Sequence, residues 1–212
     1  MMRGLVRGFD GLLRGRLGVY EFSADPECIL RIRLARAPHE LPLPGSLVPA
    51  GAPVIELHLW NEHVPPMPAG GPDLAWAREA THRFIRSMGS LAGHMRQDPR
   101  LVTARALGGA TPLATPFNSD GGEGLTARLG FSPLPYHHRL GRFGEFWENF
   151  YTWTLMWTFN QASLRGRTLF GMRRAEIWMT TEEFLRRYEP KLTPRLDNTG
   201  SGAVSPQLAI QT

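Results

Sequence analysis

The chain has 212 residues, of which 42% are hydrophobic and 20% are charged, and its formal net charge is +5. That hydrophobic share is enough for one packed core and excludes disorder of the whole chain. The single cysteine, Cys28, excludes an internal disulfide and a cysteine-based zinc site. No apolar run reaches the roughly 18 residues that cross a bilayer, and charges interrupt the N-terminus, so we expect a cytoplasmic protein without a signal peptide.

The positive charge is carried almost entirely by arginine, because Lys191 is the only lysine among the 24 basic residues. A GC-rich genome would produce this bias without any functional cause. Recognition of phosphates or carboxylates by guanidinium groups would produce it too. The arginines are spread along the chain and match no nucleic-acid-binding module, so we expect no nucleic acid partner.

Residues 1–22 form a basic amphipathic segment in which leucines and a phenylalanine recur at helical spacing. Two interpretations remain open: a helix lying on an anionic membrane surface, or a terminal helix packed on the domain core. The apolar residues are Leu5, Phe9, Leu12 and Leu13, and the basic ones between them are Arg3, Arg7, Arg14 and Arg16.

Two early segments alternate between apolar and polar residues with a period of two, which predicts half-buried strands. In residues 28–34, Leu30, Ile32 and Leu34 share one face, while Arg31 and Arg33 share the other. In residues 54–60, Ile55, Leu57 and Leu59 oppose Glu56, His58 and Trp60. Residues 38–53 between them hold five prolines and are predicted to be a loop.

The rest of the chain alternates irregularly between helical and extended patterns. Asp73 is predicted to cap a long helix that runs to about Gln97, and residues 101–107 suggest a short strand. Residues 118–124 are a predicted loop before a short helix, and an extended piece starts at Gly130. Residues 143–159 are predicted helical and 176–179 extended, and a capping box at Thr180 starts a last helix. The sequence thus predicts one α+β domain over residues 23–190, a mixed sheet with packed helices, followed by a disordered tail at 191–212.

Four of these segments resemble the YkoP-like bacterial domain, a family that occurs alone or appended to polysaccharide deacetylases. The resemblance lies in residues 54–61 (VIELHLWN), 108–111 (GGAT), 127–131 (ARLGF) and 177–188 (IWMTTEEFLRRY). It implies a setting near cell-envelope glycan or lipid metabolism, and it implies no established reaction. The deacetylase pattern of Asp-Asp with His-x-x-x-His is not found in the sequence, so we do not expect deacetylase activity.

A cluster of polar residues around the second strand is the candidate catalytic or binding site. A histidine near carboxylates at a strand end can act as a general base, so His58, Asn61 and Glu62 are the candidate catalytic residues. The simpler alternative is that Glu56 and His58 pair across the sheet with the two arginines of the first strand. A metal site would need the chain to bend at Asn61 to bring in His63, and we expect neither a metal nor a cofactor. The candidate ligand-binding residues are Glu56, Arg31, Arg33, Thr111, Arg139 and Arg142.

Residues 143–159 hold eight aromatic side chains at helical spacing, a number that exceeds what one packed side readily buries. One alternative is a core stripe; the other is a surplus that lines a pocket or sits at a membrane interface. The neighbouring cations are Arg139, Arg142, Arg165, Arg167, Arg173 and Arg174, an arrangement expected of a lipid-headgroup reader. The leading hypothesis is therefore a cytoplasmic accessory domain that binds an anionic lipid or lipid-linked glycan at the inner membrane surface. The alternative is a small transferase or hydrolase that uses His58, Asn61 and Glu62.

Overall fold

The computed structural model describes residues 8, 11, 15–111, 124–136, 138, 140–165, 168–172 and 174–189. The strands are β1 (Leu30–Arg36), β2 (Leu41–Leu43), β3 (Ser46–Val48), β4 (Pro53–Leu59), β5 (Ala106–Thr111), β6 (Ser132–Pro135) and β7 (Ala175–Thr180). The helices are α1 (Leu74–Gln97), α2 (Pro99–Val102), α3 (Leu125–Arg128), α4 (Gly141–Phe159) and α5 (Thr181–Tyr188). Single 3-10 turns lie at Gln161–Leu164 and Leu169–Gly171.

Five of the strands form one mixed sheet in the order β1-β4-β5-β7-β6. The β4–β5 pair is parallel and is connected by α1 and α2, while the other three pairs are antiparallel. The predicted α+β fold, with a mixed sheet and packed helices, is confirmed. At one edge of the sheet, β6 carries Pro133 and Pro135, which pair with Ile177 and Ala175 of β7.

One face of the sheet carries the main hydrophobic core. Ile32, Ile55 and Leu107 of three adjacent strands are fully buried there. Opposite them lie Met88, Leu91 and Met95 of α1 and Phe184 of α5. Their spacing on α1 follows the predicted helical stripe, and the side chain of Asp73 accepts a hydrogen bond from the backbone N–H of Trp76 at 2.7 Å. The predicted long helix is confirmed.

The opposite face of the sheet is covered at one end by a small hairpin made of β2 and β3. The prediction of a loop over residues 38–53 was wrong here. Leu41, Leu43 and Val48 are buried against Val54, Ala106 and Trp178. Leu41 and Leu43 flank the exposed Pro42, which is a strand alternation that the many prolines obscured. Gly45, with φ of 72°, makes the tight turn between the two strands.

Two further predictions need correction. The strand predicted at 101–107 is instead α2 followed by β5, because Asp98 caps a short helix through the N–H of Arg100 and buries Leu101. The side chains of β1 alternate between the two faces as predicted, but their burial differs from the prediction, because Arg31 is buried and Leu34 is 40% exposed. Among the described residues, the segment around Tyr20 pairs with β1 at a single bridge, between Tyr20 and Ile32. Leu34 lies beyond this bridge, so the segment does not cover it.

Several predictions concern residues that the structure does not describe. Most of the N-terminal segment, the loop up to residue 123 and the tail from residue 190 lie outside the described residues. Of the N-terminal segment, Arg16 and Leu17 are described, and both are exposed. No helix within the described ranges is long and apolar enough to cross a membrane.

Candidate functional site

The register of β1 and β4 determines how the predicted polar residues meet. Arg31 lies opposite His58, and Arg33 lies opposite Glu56. All four side chains belong to the hairpin-bearing face of the sheet, because residues paired across an antiparallel ladder share a face. Arg33 forms an ion pair with Glu56, and the Nε2 atom of His58 lies 3.5 Å from the same carboxylate. The cross-strand pairing that the sequence predicted as the simpler alternative is confirmed for this register.

Glu56 is the centre of this polar group, and its charge state follows from its neighbours. Burial opposes ionisation, but the nearby imidazole of His58 and the charge of Arg33 outweigh it and hold the pKa of Glu56 below its usual value. The carboxylate is therefore ionised at neutral pH and already has two partners. This is the arrangement of a structural ion pair, whereas a general base needs a pKa near the working pH.

Arg31 and Glu62 belong to a second group at the end of β4. The guanidinium of Arg31 lies 3.0 Å from Glu21, 3.7 Å from Glu62 and 4.2 Å above the centre of the Trp60 ring. The side chain is only 5% exposed, so these contacts compensate a nearly buried cation. Glu62 thus directs its carboxylate at Arg31, and the pair fixes the turn that follows β4.

The chain does bend after β4, but the bend does not build a metal site. His63 stacks on Trp60 with ring centres 3.7 Å apart, and its Nδ1 atom lies 2.9 Å from the carbonyl oxygen of Cys28. Among the described residues, no group of three or more His, Cys, Asp or Glu side chains is placed to hold a metal ion. Asn61 lies in the turn, His58 contacts Glu56 and Glu62 contacts Arg31, and no hydrogen bond or ion pair among the described residues joins the three candidate catalytic residues to one another.

A shallow cavity lies elsewhere, between the proline-rich segment before α1 and the 3-10 turn after α4. Its volume is about 320 Å³, and none of the candidate catalytic residues lines it. The guanidinium of Arg165 at its rim donates a hydrogen bond to the carbonyl oxygen of Ala69 at 2.6 Å. The lining residues are Met67, Gly70, Gly71, Pro72, Ala162, Ser163 and Arg165.

The aromatic helix α4 shows an unusual distribution of its side chains. Phe143, Trp147, Phe150 and Trp157 recur at helical spacing and are all between 42% and 66% exposed. The positions of this face between residues 143 and 157 include no charged residue. Of the two alternatives for this segment, a pure core stripe is therefore wrong. We call the exposed group the aromatic surface; it consists of Leu140, Phe143, Trp147, Phe150, Trp157 and the neighbouring Phe170.

The contacts of α4 with the segments next to β6 and β7 are made by polar groups, and Leu155 is its one large buried apolar side chain. The side chain of Arg174, just before β7, is 9% exposed and donates hydrogen bonds to Asn149 Oδ1, Glu148 O and Thr152 Oγ1 at 2.6–2.8 Å. The hydroxyl of Tyr136, just after β6, donates to the carboxylate of Glu148. Burial and this carboxylate raise the pKa of Tyr136, which keeps its proton in place. Polar groups thus attach α4 to the sheet, while its aromatic side faces outward.

The rings of the aromatic surface contact one another, and they continue beyond the helix. Phe146 lies 5.5 Å from Trp147 and 6.0 Å from Phe170, measured between ring centres. Phe170, in the second 3-10 turn, is 87% exposed. Five rings on two elements therefore form one connected group, which differs from the scattered apolar residues of an ordinary surface; they are Phe143, Phe146, Trp147, Phe150 and Phe170.

The predicted cations near α4 fall into three groups. Arg142 is exposed in the first turn of α4, and Arg165 is exposed after its end. Arg174 is buried beneath the helix, so its predicted role as a flanking cation was wrong. Arg139, Arg167 and Arg173 lie outside the described residues. Thr111, the remaining candidate ligand-binding residue, ends β5 on the sheet.

One polar group was missed by the sequence analysis. His39, before β2, places its Nε2 atom 3.1 Å from both carboxylate oxygens of Glu176 in β7. Glu176 is 3% exposed and also accepts a hydrogen bond from the indole N–H of Trp178 at 2.7 Å. His39 and Glu176 are 137 residues apart, and His39 lies in a segment predicted as loop, so no local pattern could have joined them.

No family model, no curated protein and no solved structure matches the chain. The resemblance to the YkoP-like domain therefore stays a prediction.

Proposed function

We propose that this domain is an accessory module that attaches to an anionic membrane surface through the aromatic surface on α4. The observation that carries the proposal is the orientation of α4, in which polar groups join the helix to Tyr136 and Arg174 beside the sheet while its aromatic side is exposed. A helix in a globular protein normally buries its apolar face. Exposing several aromatic rings to water is unfavourable, so this orientation indicates that the rings are covered by an apolar medium outside the domain.

The chemistry of the surface favours a membrane interface. Tryptophan and phenylalanine insert at the level of the lipid headgroups, where the ring is apolar and the indole N–H can still meet water. The outward face of α4 between Phe143 and Trp157 lacks charge, so insertion desolvates no ion there. Arg142 and Arg165 lie near the two ends of the helix, where each cation close to an anionic surface contributes about 1 kcal/mol.

The N-terminal segment provides a second, independent contribution to the same proposal. Arg3, Arg7, Arg14 and Arg16 accompany an apolar stripe, and Leu17 at its described end is 50% exposed. The resemblance to the YkoP-like domain suggests the cytoplasmic side of the cell envelope, where the headgroup would be that of an anionic lipid or a lipid-linked glycan. The enzyme alternative around His58, Asn61 and Glu62 stays a prediction, because no described contact brings these residues to one reacting point.

Vesicle co-sedimentation tests the proposal. The full chain is mixed with phosphatidylcholine vesicles that do or do not contain about one third phosphatidylglycerol. We expect binding to the anionic vesicles that weakens with salt through screening. The double substitution F143S/W147S should reduce the affinity at least about tenfold, because two large rings no longer insert. The matched control is L74S/V102S, which removes two exposed apolar side chains from α1 and α2 and should bind as the unmodified chain does.

The same experiment separates other occupants of the surface. Equal binding by the two double variants, or equal binding to neutral and anionic vesicles, would contradict the proposal. Absence of vesicle binding together with concentration-dependent self-association that F143S/W147S abolishes would assign the surface to a second copy of the chain. Deletion of residues 1–17 should also weaken vesicle binding. If the deletion leaves binding unchanged, the proposed role of the N-terminal segment is contradicted, while the proposed role of α4 is unaffected.

A further inference from the structure

The imidazole of His39 is held between two hydrogen-bond acceptors. Its Nδ1 atom lies 2.8 Å from the carbonyl oxygen of Glu40, and its Nε2 atom lies 3.1 Å from the carboxylate of Glu176. A neutral imidazole has a single N–H and can satisfy only one of them, whereas the imidazolium donates at both nitrogens. The geometry therefore selects the protonated form of His39.

Glu176 gains its only described cationic partner from this contact. Its register neighbours on the adjacent strands are Ala110 and Leu134, which carry no charge. Arg174, which immediately precedes β7, directs its guanidinium to α4. The backbone of Glu40 contributes a carbonyl oxygen to His39, and the Glu40 side chain itself is exposed. A carboxylate that is 3% exposed is thus balanced by one imidazolium and the Trp178 indole.

The contact joins the hairpin segment to the main sheet. His39 lies two residues before β2, and Glu176 lies on β7 two residues from Trp178, which the hairpin covers. Leu41, Leu43 and Val48 pack onto the core beside that tryptophan. Loss of the contact leaves these apolar residues as the attachment of the hairpin and leaves Glu176 as a buried anion with a single donor.

We propose that His39 is a pH-sensitive latch, which in its protonated form fastens the β2–β3 hairpin to the sheet through Glu176 and holds the hairpin less tightly when the proton leaves. This inference is independent of the membrane proposal, because it concerns a different face and different residues.

The direction of the pH effect follows from the partners of His39. The hydrogen bond to the Glu40 carbonyl and the charge of Glu176 outweigh burial and raise the pKa of His39 above its usual 6.5. A raised pKa in the folded state means that the stabilisation is fully present below pH 6.5 and is lost as the pH rises through the raised value. The hairpin should therefore be held most tightly in acid and loosen in mildly alkaline solution.

Nuclear magnetic resonance of the full chain tests the latch. We expect the His39 ring to titrate above 6.5 and the Trp178 indole N–H signal to shift with the same midpoint. Hydrogen exchange of the Leu41 and Val48 amides, corrected for its intrinsic pH dependence, should show a larger opening constant above that midpoint. The increase should be about tenfold for each pH unit by which the His39 pKa is raised.

Two variants complete the test. H39Q should abolish the pH dependence of hairpin opening, because its amide does not titrate in this range. The matched control H82Q replaces an exposed histidine of α1 and should leave the pH dependence intact. A His39 that titrates at or below 6.5, or a hairpin whose opening has the same pH dependence in H39Q, would overturn the latch.

Discussion

Gly108 lies at a position of the sheet that leaves no room for a side chain. It lies opposite Trp178 across the β5–β7 ladder and opposite Glu56 across the β4–β5 ladder. A Cβ atom at this position would lie 2.7 Å from Cε3 of Trp178 and would overlap the carbonyl oxygen of Ile177. Trp178 is 2% exposed, so its ring has no free space into which it could move. The glycine at position 108 is thus a packing requirement.

Substitution of Gly108 should therefore be strongly destabilising. We expect G108A to lower the free energy of unfolding by about 3 kcal/mol, because backbone and a buried ring must both shift. Urea unfolding followed by circular dichroism measures this. The matched control is G70A, at a position where a Cβ atom meets nothing within 4 Å, and it should change the free energy by less than about 0.5 kcal/mol. Similar losses in the two variants would contradict the packing argument.

Glu56 leads to a prediction about the stability of the protein at low pH. The pKa of its carboxyl is lowered in the folded state, so its contribution to stability is complete above the usual value of 4.5 and is lost as the pH falls through the lowered value. E56Q should lower the free energy of unfolding by roughly 2 kcal/mol at pH 7, because Arg33 loses its partner. This difference from the unmodified chain should shrink below pH 4.5. Melting temperatures of E56Q and the unmodified chain between pH 3 and pH 7, roughly the range over which a carboxyl titrates, measure this difference. The control is E40Q, which changes an exposed carboxyl. A difference between E56Q and the unmodified chain that does not depend on pH would contradict the prediction.

At the scale of elements, α4 shows what helical spacing can and cannot predict. The spacing of Phe143, Trp147 and Phe150 places them on one face, and that prediction holds. Spacing does not say which face turns inward, and hydrophobicity alone favours burial of the rings. The orientation is decided by Arg174, Asn149 and Tyr136, which come together only in the folded chain.

Arg174 should accordingly be the residue that attaches α4. R174L removes three hydrogen bonds and leaves Asn149 and Thr152 with unpaired groups, so we expect a loss of about 2–4 kcal/mol. Hydrogen exchange should show reduced protection in α4 while α1 keeps its protection. The exposed Arg142 is the control, since R142L should leave both helices as they are. Uniform loss of protection over the whole chain would show that α4 does not separate from the sheet independently.

At the scale of the whole molecule, the elements with a single strong periodicity were predictable. The strand at 54–60 was predicted from its alternation and the helix from Asp73 to Gln97 from its spacing and cap. Both appear within one or two residues of the predicted bounds. The β2–β3 hairpin was missed because three-residue strands are too short to show a period among five prolines. That Arg31 and Arg33 share a face with Glu56 and His58 was predictable from the alternation of each strand. The contact of His39 with Glu176 joins distant segments and has no local signal.

The C-terminal boundary of the domain gives a further prediction. The last helix is held by the buried Phe184, by Tyr188, whose hydroxyl donates to Leu129 O at 2.8 Å, and by Glu189, which pairs with Arg96 at 2.7 Å. Truncation after Lys191 keeps all three, so we expect a melting temperature within about 2 °C of the full chain. Truncation after Thr180 removes them and should prevent folding. A large drop in melting temperature for the first truncation would show that the tail packs on the domain.

The prolines of β6 bear on how copies of this protein behave in a crowded solution. An unpaired sheet edge invites strands from other molecules, and a protein with an exposed aromatic surface would be doubly prone to such growth. Pro133 and Pro135 have no N–H group, so an incoming strand finds no hydrogen-bond donor at two of the four positions of β6. Edge-to-edge polymerisation is thereby discouraged on this side of the sheet. A chain that exposes an aromatic surface is thereby less prone to join its neighbours into fibres through this edge.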